Sequence, residues 1–429
     1  MRTLKRRDFL HAGALALGSA FLTSRLAFAR TGTSKSHFIF IIMRGALDGL
    51  AAVPPYGDSD YAGLRRELAL KAPGAPGGAL PLNGFFGLHP SLGFLHDSYT
   101  ARELVVFHAM ASPYRERSHF DGQDVLENGG LQPHAVQTGW LNRALASLQT
   151  GRGKELGVAL GQNFPLVMRG PASVTSWSPS KLATLDDDTL ERITDLYAGD
   201  PLLASRLADA LAADAIANSA TETAMNSAVP DAMAALSVPA GASAAVPSQR
   251  NQLQRGKPMR YTEVVRAAAS FLRRDDGPQV AVFDTTGWDT HANEGSAEGQ
   301  LAGRLAALDA GLRTLKDELG PAWADTAVLL ATEFGRTAAT NGTRGTDHGT
   351  ATAAFLLGGT VQGGRVLADW PGLSSHALYQ GRDLKPTADL RSVLKGVLSE
   401  HLLVASSALE SSVFPDSSSA RPIKGLFRA

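Results

Sequence analysis

The chain contains no cysteine among its 429 residues, which excludes a disulfide framework and any thiolate ligand. A metal ion would then have to be held by oxygen and imidazole donors. The chain also lacks an excess of either charge. Lys plus Arg and Asp plus Glu number 41 each, with no long run of either sign, so no surface for nucleic acid or for an anionic membrane is expected. No segment approaches the roughly 20 apolar residues of a membrane span, which excludes a stable span. No internal repeat is apparent.

What is present begins at the N-terminus. Lys5-Arg6-Arg7-Asp8-Phe9-Leu10 precedes a mildly apolar stretch from Ala12 to Leu22, and Ala27-Phe28-Ala29 follows. The pattern resembles a twin-arginine signal peptide over residues 1–29, with small residues where a signal peptidase cuts. It implies handling by the twin-arginine export machinery, folding before export, and a mature chain beginning near Arg30 in the bacterial periplasm or outside the cell.

The remainder, residues 30–429, reads as a single α/β domain. Phe38 to Met43 is a continuous apolar run of the kind that forms a strand buried on both faces. Further strands are expected at Leu104 to His108, Gln279 to Phe283, Thr326 to Ala331 and Phe355 to Gly359, with weaker candidates at Gly157 to Leu160 and Phe164 to Met168. Helical spacing marks Thr262 to Arg274, Glu298 to Leu319 and Asp389 to Leu403, with Asp389 as the cap of the last. The alternation predicts a mostly parallel central sheet sandwiched by helices. From Asp186 to about Ala217 the pattern is helical. Residues 218–249 are dominated by Ala, Ser and Thr with Pro230, Pro239 and Pro247, so about 186–260 is expected to be a helical, Ala/Ser-rich insertion carrying a mobile excursion.

Polar residues gather just after the apolar runs, where a sheet covered on both faces places its ligands. Gly287-Trp288-Asp289-Thr290-His291 and Gly345-Thr346-Asp347-His348-Gly349 are the densest clusters. Asp289 and His291 lie two apart, on one face of an extended segment, and can reach one ion together. Asp347 and His348 are adjacent in a glycine-flanked loop. Asp48, after the first strand, reads as a further ligand or as a helix cap. Glu333 and Arg336, after the strand at 326–331, can pair with each other or serve the site. Ser118 stands where an N-cap would open the next helix, facing the strand mouth. Such donors suit one or two divalent ions, with zinc, calcium, magnesium and manganese all open, and two ions would clamp both oxygens of an in-line displacement at phosphorus or sulfur.

Taken together, Arg44-Gly45 with Asp48-Gly49-Leu50, Gly87-Leu88-His89-Pro90, Ser118-His119-Phe120, Thr138-Gly139-Trp140-Leu141, Asp289-Thr290-His291, Glu333-Phe334-Gly335-Arg336-Thr337 and Gly345-Thr346-Asp347-His348-Gly349 resemble the bacterial "domain of unknown function 1501" proteins. Those proteins are similar to the alkaline phosphatase and sulfatase superfamily, which binds two divalent ions at the strand ends of an α/β sheet. The resemblance implies an alkaline-phosphatase-like fold and an exported metal-dependent hydrolase of a phosphate or sulfate ester, on a small molecule or a polysaccharide. The alternative is an accessory envelope protein that keeps the fold without turnover. By the same resemblance Asp48, Asp289, His291, Asp347 and His348 are metal ligands, with Glu333 beside them. Ser118 is then the nucleophile, His119 a ligand or general acid, and Arg115, Arg117 or Arg336 the stabiliser of the oxyanion. This chain departs from the superfamily in three places. Only Thr290 separates Asp289 from His291, Ala111 occupies the sulfatase nucleophile position, and His376 is the one candidate for a late third histidine.

Overall fold

The computed structural model describes residues 36–148, 156–179, 187–197, 199–227 and 261–428. The residues expected to carry a twin-arginine motif and a cleavage site, and residues 228–260 of the expected excursion, lie outside the described residues.

Eleven strands are present among the described residues: β1 (His37–Arg44), β2 (Leu80–Pro81), β3 (Gly87–Leu88), β4 (Leu104–Ala111), β5 (Gly157–Leu160), β6 (Val174–Trp177), β7 (Val280–Thr286), β8 (Thr326–Ala331), β9 (Thr352–Leu357), β10 (Arg365–Leu367) and β11 (Ala388–Asp389). β2 and β3 pair as a small hairpin, and the rest form one sheet in the order β10-β4-β9-β8-β1-β7-β5-β6, with β11 also on β4. β1 runs parallel to both neighbours, in register Phe38↔Val280 with β7 and His37↔Thr326 with β8. β9 alone is reversed, antiparallel to β8 and to β4.

β1 shows why its apolar run is unbroken. Ile39, Ile41 and Met43 enter one core, against Leu305, Leu308 and Leu312 of helix Gln300–Leu319 and Val264 and Phe271 of helix Tyr261–Arg273. Phe38, Phe40 and Ile42 enter the other, against Trp140 and Leu141 of helix Trp140–Leu148 and Val393 and Val397 of helix Leu390–Glu400. Successive side chains point to opposite faces, so a strand with helices on both sides must be apolar at every position. The expectation of a mixed α/β chain with a mostly parallel sheet flanked by helices is met. Helices Asp187–Tyr197 and Pro201–Ser227 stand in the expected helical region, and no helix among the described residues is long and apolar enough to cross a membrane.

One strand expectation fails and one strand goes unmarked in the sequence. Phe164 to Met168 is a 3-10 turn at Leu166–Met168, entered through Pro165, which has no N–H to give to a strand ladder. Its apolar residues are explained by burial of Val167 and Met168 against the core. β6 went unrecognised because none of its four residues is fully buried, so no apolar run marks it.

The topology sets up one rim. Because β1, β7 and β8 are parallel, their exits lie at the same edge of the sheet. β9 is reversed, so its entrance lies there too, and its partner β4 exits beside it with Met110 opposite Thr352.

Candidate metal centre

Five segments reach that rim: the exits of β1, β4, β7 and β8 and the loop that enters β9. The loop after β7 and the loop before β9 are laced together by Asn293 N–H to Thr343 O at 3.0 Å, Glu294 N–H to Arg344 O at 3.0 Å and Thr346 N–H to Thr290 O at 3.2 Å. A side chain at Gly345 would overlap the carbonyl of His291, its Cβ lying 2.4 Å from that oxygen, so this crossing requires glycine. The hairpin-like turn from Gly335 to Thr350, with Arg336 bridged to His348, then carries Asp347 and His348 over to Asp289 and His291.

Three imidazoles surround the Asp289 carboxylate. His119 Nε2 stands 3.4 Å from Oδ2, His291 Nε2 3.0 Å from Oδ1, and His348 Nε2 3.2 Å from Oδ1, while the Nε2 atoms of His291 and His348 are 3.0 Å apart. Each ring is held from behind through its other nitrogen. His119 Nδ1 meets Glu333 Oε1 at 2.8 Å, His348 Nδ1 meets the Arg117 carbonyl at 2.9 Å, and His291 Nδ1 meets Asp347 Oδ1 at 3.2 Å. An oxygen acceptor behind each ring holds a proton on Nδ1 and fixes the ring, so that Nε2 faces Asp289 and would offer its lone pair to an ion once its own proton is displaced. His119 Nε2 is buried, and Asp289 Oδ2 is the charged group it faces.

The donor set fits a metal ion. Ligand atoms of His119, Asp289 and His348 lie within 4.8 Å of one another. Four donors arranged tetrahedrally at about 2.0–2.1 Å from an ion stand about 3.3 Å apart, close to the separations seen here.

Electrostatics support the arrangement. Burial pushes the Asp289 carboxyl up, but hydrogen bonds from His119, His348 and Arg336 outweigh it and hold the group ionised far below the usual carboxylate range. Hydrogen bonding to Asp289 and then to Glu333 raises His119 to about 9, against the opposing effect of burial. Glu333 is fully buried, yet His119, Gln123 and Thr332 keep it ionised below its ordinary value against that burial. Its Oε1 also accepts from Gly45 N–H at 2.9 Å, so the exits of β1 and β8 are tied behind the histidine. Burial raises the Asp347 carboxyl, and Asn341 and His291 more than offset this and lower it.

The expected residues thus fall into three groups. Asp289, His291 and His348 converge directly. Glu333 and Asp347 reach the cluster through His119 and His291. Arg336 is buried and pairs with Asp289 Oδ1, its Nε donating to Thr346 Oγ1 at 3.1 Å and its remaining nitrogen to the Thr346 carbonyl, so it makes no pair with Glu333. Asp48 lies apart. Its Oδ1 accepts from the N–H groups of Leu50 and Ala51 at 2.9 and 3.1 Å, capping helix Gly49–Ala52, and its Oδ2 pairs with Arg65. With both oxygens engaged and 1 % exposure, Asp48 is a cap and an ion-pair partner. The third imidazole is His119; His376 is exposed and bonded to Ser374 at 3.3 Å.

Ser118 occupies the N-cap of helix His119–Asn128 and makes no capping hydrogen bond through its side chain. Arg115 is turned to the carbonyls of Ser112 and Tyr114, and Arg117 to Asp383 and Gln380. The residues missed from sequence are Arg65, Glu294 and Thr346. Glu294 and Arg65 sit with Asp48 in a sealed group, Arg65 being 3.5 Å from Glu294 Oε1, and Thr346 Oγ1 donates to Glu294 Oε2 at 2.8 Å.

The model for a family described as "Protein of unknown function (DUF1501)" matches residues 86–409. The chain belongs to this family. The matched segment of the DUF1501 member contains every residue of the Asp289 cluster and leaves out Asp48 and Arg65. No curated protein matches the chain.

Proposed function

We propose that this DUF1501 protein is a metal-dependent hydrolase of phosphate or sulfate esters with an alkaline-phosphatase-like fold, exported by the twin-arginine route to the periplasm or beyond. The observation that carries the reading is the set of three histidines whose Nδ1 atoms are tied off by oxygen acceptors, leaving three Nε2 atoms facing one ionised carboxylate. An imidazole-rich donor set favours zinc over calcium or magnesium, which prefer oxygen.

His119, Asp289, His291 and His348 would hold the ion, and the ion would polarise the ester and favour the deprotonated nucleophile. The chain's own residues do the rest. Arg336 fixes Asp289, and Glu333 and Asp347 fix two of the imidazoles. Ser118, one residue before His119 and without a capping bond, supplies the hydroxyl nucleophile at the N-terminus of its helix, where backbone N–H groups favour an anion. The polar, half-exposed mouth admits a charged ester. The reversed β9 supports the superfamily-like architecture, because it delivers the Asp347-His348 pair to the rim where the parallel strands end.

The test is metal analysis of the purified chain together with turnover of aryl phosphate and aryl sulfate esters. At least one tightly held divalent ion is expected per chain, lost in Asp289→Ala, with turnover lost and the ion kept in Ser118→Ala. A fully stable protein that takes up no ion from solution would sink the reading, and an ion without turnover would favour the accessory role.

A further inference from the structure

Beside the metal cluster the surface opens into a cavity of about 780 Å³. An oxyanion alone has no use for that volume, which is the size that encloses a body of several rings. Resting on the ester-hydrolase reading for the chemistry at one end, we propose that this cavity seats the body of the substrate, an acidic, hydroxyl-rich glycan chain.

Three features of the lining point to that class. The first is aromatic. Phe120 is 86 % exposed and lines the cavity. It directly follows His119 at the first turn of the helix, where successive side chains diverge by about 100°. His119 therefore turns to the cluster while Phe120 is offered outward, and with Phe164 in the same lining it supplies an aromatic surface suited to the apolar face of a sugar ring. The second is a set of planar amides, Gln123, Gln162 and Asn163, each able to donate and to accept toward vicinal hydroxyls. Gln123 also joins the cavity to the cluster, since its Nε2 donates to Glu333 Oε1 at 3.1 Å and its Oε1 accepts from Arg44 at 3.0 Å.

The third feature is a pair of arginines without carboxylate partners among the described residues. Within the lining, Glu127 and Asp284 are both paired to Arg44, and Asp124 is occupied by Asn128 at 2.7 Å and by His134 at 3.3 Å. Arg169 and Arg304 also line the cavity, and neither has a carboxylate partner among the described residues. Arg169 gives one bond to the Phe164 carbonyl at 3.1 Å. Arg304 is laid across Gly287, whose positive φ of 93° and missing side chain make room for the guanidinium, a Cβ there lying 2.6 Å from Arg304 Cζ. Two guanidinium groups that no carboxylate neutralises fit carboxylate or sulfate groups repeated along a chain. A neutral glycan would leave both arginines unanswered.

The experiment is calorimetric titration of the full chain, metal-loaded and metal-depleted, with hexasaccharides of galacturonate, hyaluronan and sulfated galactan, and with a neutral β-glucan hexamer. At least one acidic hexasaccharide should bind, tenfold or more tighter than the neutral one. Phe120→Ala and the double change Arg169→Ala with Arg304→Ala should each weaken it at least tenfold while metal content stays at the wild-type level. Binding by none of the three acidic chains, equal binding of the neutral chain, or binding untouched by those substitutions would overturn the proposal. Metal content and ester turnover of the same samples judge the hydrolase reading separately. Glycan binding by a stable wild-type chain that takes up no ion would sink that reading and support the cleft.

Discussion

Asp289 and Asp48 both follow strands of one parallel pair, β7 and β1, and both reach the same rim. Asp289 is part-exposed, its oxygens shared among Arg336 and three imidazoles whose Nε2 atoms have no other strong acceptor. Asp48 is sealed, with Arg65 and Glu294 beside it and all three essentially without solvent contact. The sealed charge is neutralised from within the protein, and the charge of Asp289 is left open to solvent on one side. Both clusters look alike in sequence, as an acid just past an apolar run. They differ in which cation the fold delivers to them.

The largest test of this contrast is a pair of substitutions with opposite consequences. Arg65→Met removes the cation between two buried carboxyls and should cost about 3–5 kcal/mol of stability, read as a lower denaturation midpoint, while the folded protein keeps its metal affinity. Asp289→Ala should abolish metal binding and cost the metal-free protein less than Arg65→Met does, because the imidazole pairs it breaks are partly solvated and the buried Arg336 keeps its bonds to Thr346. If Arg65→Met removed the ion or Asp289→Ala unfolded the chain, the division into scaffold and site would be wrong.

How far the sequence reached follows the same physics. The central strands were legible because burial on two faces leaves an unbroken apolar run, as in Phe38 to Met43. The edge strands β6 and β10 are short and only partly buried, so nothing in their composition sets them off. The rim clusters were legible because parallel strands must deliver their exits to one edge. The place of Asp48 was not, since Arg65 lies on the short helix Tyr61–Arg65, where no pattern marks an arginine that turns inward. His119 reads from sequence as a ligand or a general acid, and its position against Asp289 depends on the reversed β9, a feature of strand direction that an apolar run does not encode.

The two clusters should also answer pH differently. In metal-free protein His119 is raised to about 9 from an ordinary 6.5, so its stabilisation is fully present below pH 6.5 and is lost as pH rises through about 9. Glu294 is raised to about 8 by burial and by the neighbouring Asp48 charge. It binds its proton more tightly in the folded state, so its contribution is lost between its ordinary 4.5 and about 8. Thermal melts of the metal-free chain should therefore fall from pH 6 to pH 9. Glu294→Gln should flatten the lower part of that fall only. Metal uptake displaces the His119 proton, so affinity should climb about tenfold per pH unit below 9. A pH-independent affinity would remove His119 from the ligand set.

The smallest expected effect probes the one side chain that touches both groups. Thr346 Oγ1 donates to Glu294 Oε2 and accepts from Arg336 Nε, so Thr346→Val cuts the direct link while keeping shape. Two buried polar groups each lose a partner, and stability should fall by about 1–3 kcal/mol. Arg336 would still hold Asp289 and the carbonyl of residue 346, so the carboxylate stays in place and metal affinity should drop less than tenfold. A drop of a hundredfold, with Glu294→Gln giving the same loss alone and nothing more in combination, would mean that the sealed acid sets the geometry of the open one. The two clusters would then be a single network, with Asp48 acting on the ion through Arg65, Glu294, Thr346, Arg336 and Asp289.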